Sequence, residues 1–202
     1  DVLCMQETKL ADAAFPHLSF SALGYEVAHH GEGRWNGVAI ASRVGLDDVV
    51  DGMPAAIAGD PDEARIVTAT CGGVRVSSVY VPNGRSLDAE HYAYKQRWLA
   101  DLHRFLDGGP GPEAPVVVAG DFNIAPADVD VAPGIRAETH TSEEVRGALA
   151  RLVEWGLVDT FRLAYPTERI YSWWDYRAGD VHQGRGRRID LLLRTQPVAD
   201  GR

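Results

Sequence analysis

The chain has 202 residues, 45% apolar and 24% charged, with a formal charge of −9. That composition supports one sizeable globular core. No apolar run reaches the roughly 18 residues of a membrane span, and the acidic balance argues against a general polyanion binder.

Two cysteines, Cys4 and Cys71, lie far apart and outside any C-x-x-C. They exclude a disulfide framework and a zinc ribbon and point to a reducing, cytoplasmic compartment. With Lys9 and Lys95 as the lysines, 18 of the 20 basic residues are arginines. Most read as compositional bias, but a few placed arginines grip phosphate bidentately even in an acidic protein.

In chain order, Val2–Met5 reads as a buried strand, followed by strands at Tyr25–Ala28 and Gly37–Ser42. Arg65–Cys71 and Val74–Val81 are β-rich runs separated by Gly72 and Gly73, which predicts a hairpin. Asp88 is the expected N-cap of a helix carrying Trp98, Leu102, Phe105 and Leu106 on one face, ended by the Gly/Pro loop from Gly108 to Pro112. Pro115–Ala119 reads as a central strand. Thr141 to Glu144 fits a capping box that opens a second helix, with Gly156 just past its end. Arg169–Trp174 and Arg188–Leu193 are the last expected strands. The pattern predicts a single α/β or α+β domain with largely antiparallel sheets.

Polar residues break this pattern at strand ends, where function usually sits. Glu7 follows the first strand and Tyr80 ends the second hairpin strand. Asp121 and Asn123 follow the most apolar strand, and Asp190 interrupts an apolar one. Each has a plain alternative: a helix cap for Glu7, a half-buried tyrosine for Tyr80, an Asx turn for Asp121 and Asn123. Asp190, flanked by Ile189 and Leu191, is costly to bury unless paired. Four independent strand ends together favour a site. Carboxylates gathered in one cleft suit a divalent cation, which attracts phosphate. A G-x-S-x-G elbow and a P-loop are both missing, and the adjacent His29 and His30 would point to opposite faces of a strand, against a shared zinc.

Seven segments occur in order: Met5–Lys9, Trp35–Ile40, Val79–Gly84, Gly120–Pro126, Trp155–Phe161, Tyr171–Arg177 and Arg188–Leu193. On these the chain resembles the exonuclease III family, within the wider endonuclease/exonuclease/phosphatase group. The resemblance implies two packed mixed β-sheets flanked by helices, a DNase I-like four-layer sandwich. It also implies a Mg²⁺-dependent 3′→5′ exonuclease on double-stranded DNA that incises at abasic sites, with Mn²⁺ as an alternative metal, acting on 3′ termini as a monomer without a membrane.

Residue by residue, Glu7 matches the family's metal carboxylate and Tyr80 the tyrosine that reaches the scissile phosphate. Asp121 matches the residue that deprotonates the attacking water, Asn123 the one that orients it, both beside the metal. Asp190 matches the aspartate that pairs with a catalytic histidine, and Trp173 the aromatic wall of a pocket for a flipped-out abasic sugar. Arg65 and Asn83 match positions near the substrate phosphate, and Arg185, Arg187 and Arg188 are expected on the DNA backbone.

The family pattern also places a strand with a catalytic Asn before Asp1 and a Ser-Asp-His segment after Arg202. Residues 1–202 are therefore expected to be one incomplete domain, truncated at both ends, with Asp190 an unpaired buried carboxylate. Two alternatives stand beside the nuclease: a non-catalytic piece that at most binds DNA, and a phosphodiesterase of the same group acting on another phosphoester.

Overall fold

The computed structural model describes residues 1–57, 63–135, 137–176 and 179–199; Arg177 of the sixth motif and the 200–202 terminus lie outside them. Its strands are β1 Val2–Gln6, β2 Glu26–His30, β3 Val38–Ser42, β4 Asp47–Asp51, β5 Ile66–Cys71, β6 Val74–Tyr80, β7 Val116–Asp121, β8 Val158–Asp159, β9 Trp173–Trp174, β10 Gly186–Arg187 and β11 Asp190–Arg194. The helices are α1 His17–Ala22, α2 Glu90–Asp107, α3 Glu138–Thr141, α4 Glu143–Trp155, α5 Thr160–Ala164 and α6 Gln196–Ala199. None is long and apolar enough to cross a membrane among the described residues.

Among the described residues the strands form a three-stranded sheet, β1-β3-β2, a six-stranded sheet, β4-β5-β6-β7-β11-β8, and the β9/β10 pair. All pairings are antiparallel except β6 with β7. That parallel pair needs a long crossover, and α2 supplies it. The mixed α/β architecture of packed sheets and flanking helices is as expected, although the smaller sheet is purely antiparallel. The β5/β6 hairpin turns at Gly72 and Gly73 as predicted.

Two apolar layers hold the sheets. Ala28, Val38 and Ile40 of the small sheet meet Val67, Ala69 and Val76 of the large one. The large sheet's other face packs Val79, Val118 and Leu193 against Trp98, Leu99 and Leu102 of α2 and Val145, Leu149 and Leu152 of α4. The polar strap between the sheets matters more for the site. Gln6 Nε2 donates to Ser78 Oγ (2.9 Å), and Ser78 Oγ donates to the Met5 carbonyl (3.2 Å), which ties the end of β1 to the middle of β6.

Several local expectations shift. β1 is an edge strand, with Val2 38% and Leu3 48% exposed, so its apolar run is not fully buried. Ala89, not Asp88, precedes α2. Ser142, not Thr141, caps α4, its hydroxyl accepting from the Val145 N–H. Asp190 begins β11 and is exposed, because the inward positions of this strand are Leu191 and Leu193. It is therefore not the buried, unpaired carboxylate expected from its apolar neighbours.

Gly120 sits at φ 145° beside Val79, and an added Cβ would lie 2.1 Å from the Val79 carbonyl oxygen. Backbone cannot yield there without parting β6 from β7. Gly120→Ala should therefore cost about 3 kcal/mol, read as a lower urea midpoint with an unchanged slope. An unshifted midpoint would show that the pairing tolerates the methyl.

Candidate active site

Register brings the site together. Tyr80 of β6 lies opposite Asp121 of β7, and Asp121 lies opposite Asp190 of β11. Three adjacent strands thus end in a row of phenol, carboxylate and carboxylate, all on one face because in-register neighbours share a face. Glu7 enters from the small sheet, just past β1, held near the row by the Gln6–Ser78 strap. Its backbone takes a left-handed φ of 52°, and the following Thr8 and Lys9 N–H groups donate to the Gly37 and Asn36 carbonyls. Glu7 caps no helix; its carboxylate pairs with Lys9 Nζ at 2.7 Å.

Asp121 and Asn123 form an Asx turn and a site at once. The Asn123 N–H donates to Asp121 Oδ1 (2.9 Å) and Asn123 Nδ2 to Asp121 Oδ2 (3.2 Å). Asn123 Nδ2 also donates to the Val81 carbonyl, and Asn123 Oδ1 accepts from Asn83 Nδ2 at 3.0 Å. Asn123 is buried and left-handed at φ 50°, a conformation asparagine tolerates.

The electrostatics follow from crowding. Burial first, then the Asp190 and Glu7 charges, push the Asp121 carboxyl up to about 7, against the pull of the Asn123 N–H. Asp190 is raised too, chiefly because the protein displaces water from its carboxyl, while the Ser172 hydroxyl works the other way. Burial and the Glu7 and Asp121 charges push Tyr80 up to about 12, so it remains a neutral hydrogen-bond donor. Carboxylates gathered in this way are a set of hard oxygen donors suited to a cation. Among the described residues no three His, Cys, Asp or Glu side chains form a closed metal cage. The Glu7 and Asp121 carboxylates are donors of the kind that a hard divalent cation takes together with waters.

The expected substrate residues separate. Asn83 is exposed at the site's edge, between Asn123 and His140 Nε2 (3.3 Å). Trp173 lines a cavity of about 490 Å³ with Asn83, Arg85, His140 and Arg187, and the Arg187 guanidinium lies 5.0 Å from its ring. Arg65 stands behind Tyr80, 4.8 Å from the ring centroid. Its Nη1 donates to the Tyr80 carbonyl and its Nε is paired with Glu63. It lines a cavity of about 530 Å³ together with Trp35, Tyr80 and Arg85.

Arg188 is a correction. It is 4% exposed, with Nε on Asp130 Oδ1 (2.6 Å) and Nη2 on Asp159 Oδ2 (2.7 Å). Burial alone would lower its pKa, but the Asp130 and Asp159 carboxylates outweigh that and raise it. Its fork is committed to a buried ion-pair network and not to a substrate. Arg185 pairs with Asp180 but its side chain stays exposed, and Arg187 faces the cavity.

Two side chains at the site escape a reading by strand ends. Lys95 of α2 is fully buried, and burial pulls it down to about 7 despite the Asp121 charge. Its signal was available: a lysine on the same helical stripe as Trp98, Leu99 and Leu102. His140 is buried beside Asn83 and Arg187. Burial and then the Lys95 and Arg187 charges hold it down at about 3, so its ring is neutral. Nothing in its flanking residues marks it.

Residues 1–201 match the Endonuclease/Exonuclease/phosphatase family. The chain is 34% identical over 218 residues to exodeoxyribonuclease III of Haemophilus influenzae, an alignment covering 99% of this chain and 79% of that protein. Its fold is similar to an AP endonuclease from Archaeoglobus fulgidus, with a TM-score of 0.92 at 38% identity over 99% of this chain and 78% of the other. It is also similar to the 3′ phosphatase NExo from Neisseria bound to a product DNA hairpin, with a TM-score of 0.90 at 36% identity over 99% and 78% of the two chains.

Proposed function

Since the chain belongs to the endonuclease/exonuclease/phosphatase family, in its exonuclease III branch, we propose that it is a DNA-repair hydrolase. It cleaves phosphodiesters of double-stranded DNA from 3′ termini and incises at abasic sites. The observation that carries this reading is the register row Tyr80–Asp121–Asp190 with Glu7 across from it.

Hydrolysis needs a water aligned behind the phosphorus and charge stabilisation on the phosphoryl oxygens. Asp121 accepts the proton from the attacking water, and burial and the neighbouring carboxylates raise its basicity in the metal-free site. Asn123 fixes both Asp121 oxygens and so the direction from which the water enters. Tyr80, kept neutral, donates to a phosphoryl oxygen, and Arg65 braces it from behind. Glu7, Asp121 and the Asn123 amide would hold Mg²⁺, which when bound supplies Lewis-acid stabilisation of negative charge on the phosphate. Asp190 holds its neighbour Asp121 high in pKa. Asn83 and the Trp173 ring line the cleft that receives the sugar–phosphate. The enzyme acts as a monomer.

A duplex carrying one abasic site is incised in the presence of Mg²⁺ and left intact in EDTA. A folded chain that binds this duplex without cutting it would overturn the reading. Metal binding also has a signature independent of activity. Mg²⁺ at tenfold its Kd adds about 1.4 kcal/mol of stability, a rise in Tm of roughly 3–6 °C for a chain of this size. Asp121→Asn should shrink that rise, and an identical rise in the variant would remove Asp121 from the metal's surroundings.

A further inference from the structure

Lys95 occupies the inward stripe of α2 with Trp98, Leu99, Leu102 and Leu106, a place where the helix otherwise buries apolar side chains. An ammonium with no exposure is costly unless every proton is taken up. Here each is. Lys95 Nζ donates to the carbonyl of Asn123 (2.6 Å), the carbonyl of Thr139 (2.7 Å) and, more loosely, the carbonyl of Asn83 (3.4 Å). A lysine has three donors, and these are spent on three different segments: the loop after β6, the loop after β7 and α3.

Those are the segments that carry the polar edge of the site. Asn123 orients Asp121. Asn83 donates to Asn123 Oδ1 and lies against His140. Thr139 precedes His140. The carbonyl held at the shortest distance, 2.6 Å, belongs to Asn123. A second observation agrees. Gly84 packs so closely that an added Cβ would lie 3.3 Å from Lys95 Cδ and 3.5 Å from Thr139 Cβ, so the loop after β6 is seated on the lysine stem as well as on its charge.

We propose that Lys95 is a positioning residue for the hydrolysis: one buried side chain fixes the relative placement of Asn83, Asn123 and the Thr139–His140 turn, and through Asn123 the alignment of Asp121. The inference rests on the function proposed above. It goes beyond it by assigning part of the rate to a helix residue that touches neither phosphate nor metal.

The test uses the whole chain with Lys95→Met, which keeps the stem and removes all donors, and Lys95→Gln, which restores two donors on a shorter arm. Kinetics on the abasic duplex with Mg²⁺ are read alongside thermal unfolding. Misplacement of reacting groups by about 1 Å costs on the order of 10²-fold. The expected result is thus a kcat about 10²-fold lower for Lys95→Met and about tenfold lower for Lys95→Gln, with KM for DNA within threefold of the parent and a cooperative melt. A kcat within threefold of the parent in either folded variant overturns the proposal, as does a loss carried by KM. If Lys95→Met does not fold, Lys95→Gln decides by the same criteria. A parent chain that melts cooperatively but does not cut the duplex fails the proposed function itself, and this inference with it.

Discussion

Asp121→Asn is expected to lower the rate of DNA incision by about 10³-fold or more while the protein stays folded. The magnitude follows from removing a general base, worth roughly 10²–10⁴-fold, together with a carboxylate from the cation's surroundings. The fold survives because the amide oxygen still accepts the Asn123 N–H that closes the turn. Only the second bond suffers, since the new amide nitrogen faces Asn123 Nδ2, donor against donor. Stability without metal should not fall and should rise modestly. The native carboxyl is held up at about 7 by burial and by Asp190 and Glu7, and a neutral side chain relieves that crowding. The decisive measurement is single-turnover cleavage of the abasic duplex beside a thermal melt without metal. Cleavage within tenfold of the parent would remove Asp121 from the chemistry.

Arg188→Ala should be strongly destabilising, at about 3 kcal/mol. Removing one partner of a buried ion pair strands the other, at roughly 3–5 kcal/mol. The loss falls toward the low end because Arg162 still holds Asp130, which is itself fully buried. Asp159 loses its bond from Arg188 but still accepts the Phe161 and Arg162 N–H groups at the start of α5. Urea unfolding gives the number. A DNA-binding titration on the folded variant separates the two roles an arginine in this motif could have: affinity stays within about twofold if the side chain is purely internal, and falls with little loss of stability if it meets phosphate.

That contrast marks the boundary of what the residues alone disclose. The β5/β6 hairpin was legible because two glycines between two β-branched runs leave few alternatives. The strand-end residues Glu7, Tyr80, Asp121 and Asn123 were legible because polar side chains interrupt apolar runs there. Asp190 was placed in the right strand but expected to be buried, whereas it is exposed. Period-two alternation assigns Leu191 and Leu193 inward, yet Ile189 on its other side disguised the phase. Arg188 was misassigned because an arginine in a glycine- and arginine-rich stretch looks the same whether it faces solvent or Asp130, a partner 58 residues away. The β9 and β10 strands are two residues each and carry no period at all. His140 becomes a site residue only when the turn before α4 folds back on the loop after β6.

Among the described residues the large sheet has one parallel contact, and it governs when the site comes together. Tyr80 and Asp121 become neighbours only after the chain has run out through α2 and returned, and Asp190 and Glu7 come from segments far apart in sequence. Such long-range closures come late and together in folding. A chain in which β6, β7 and β11 have not yet paired therefore lacks the assembled row of Tyr80, Asp121 and Asp190. The row is thus a property of the paired sheet and of no single segment, so the topology of the sheet ties the chemistry to the folded state.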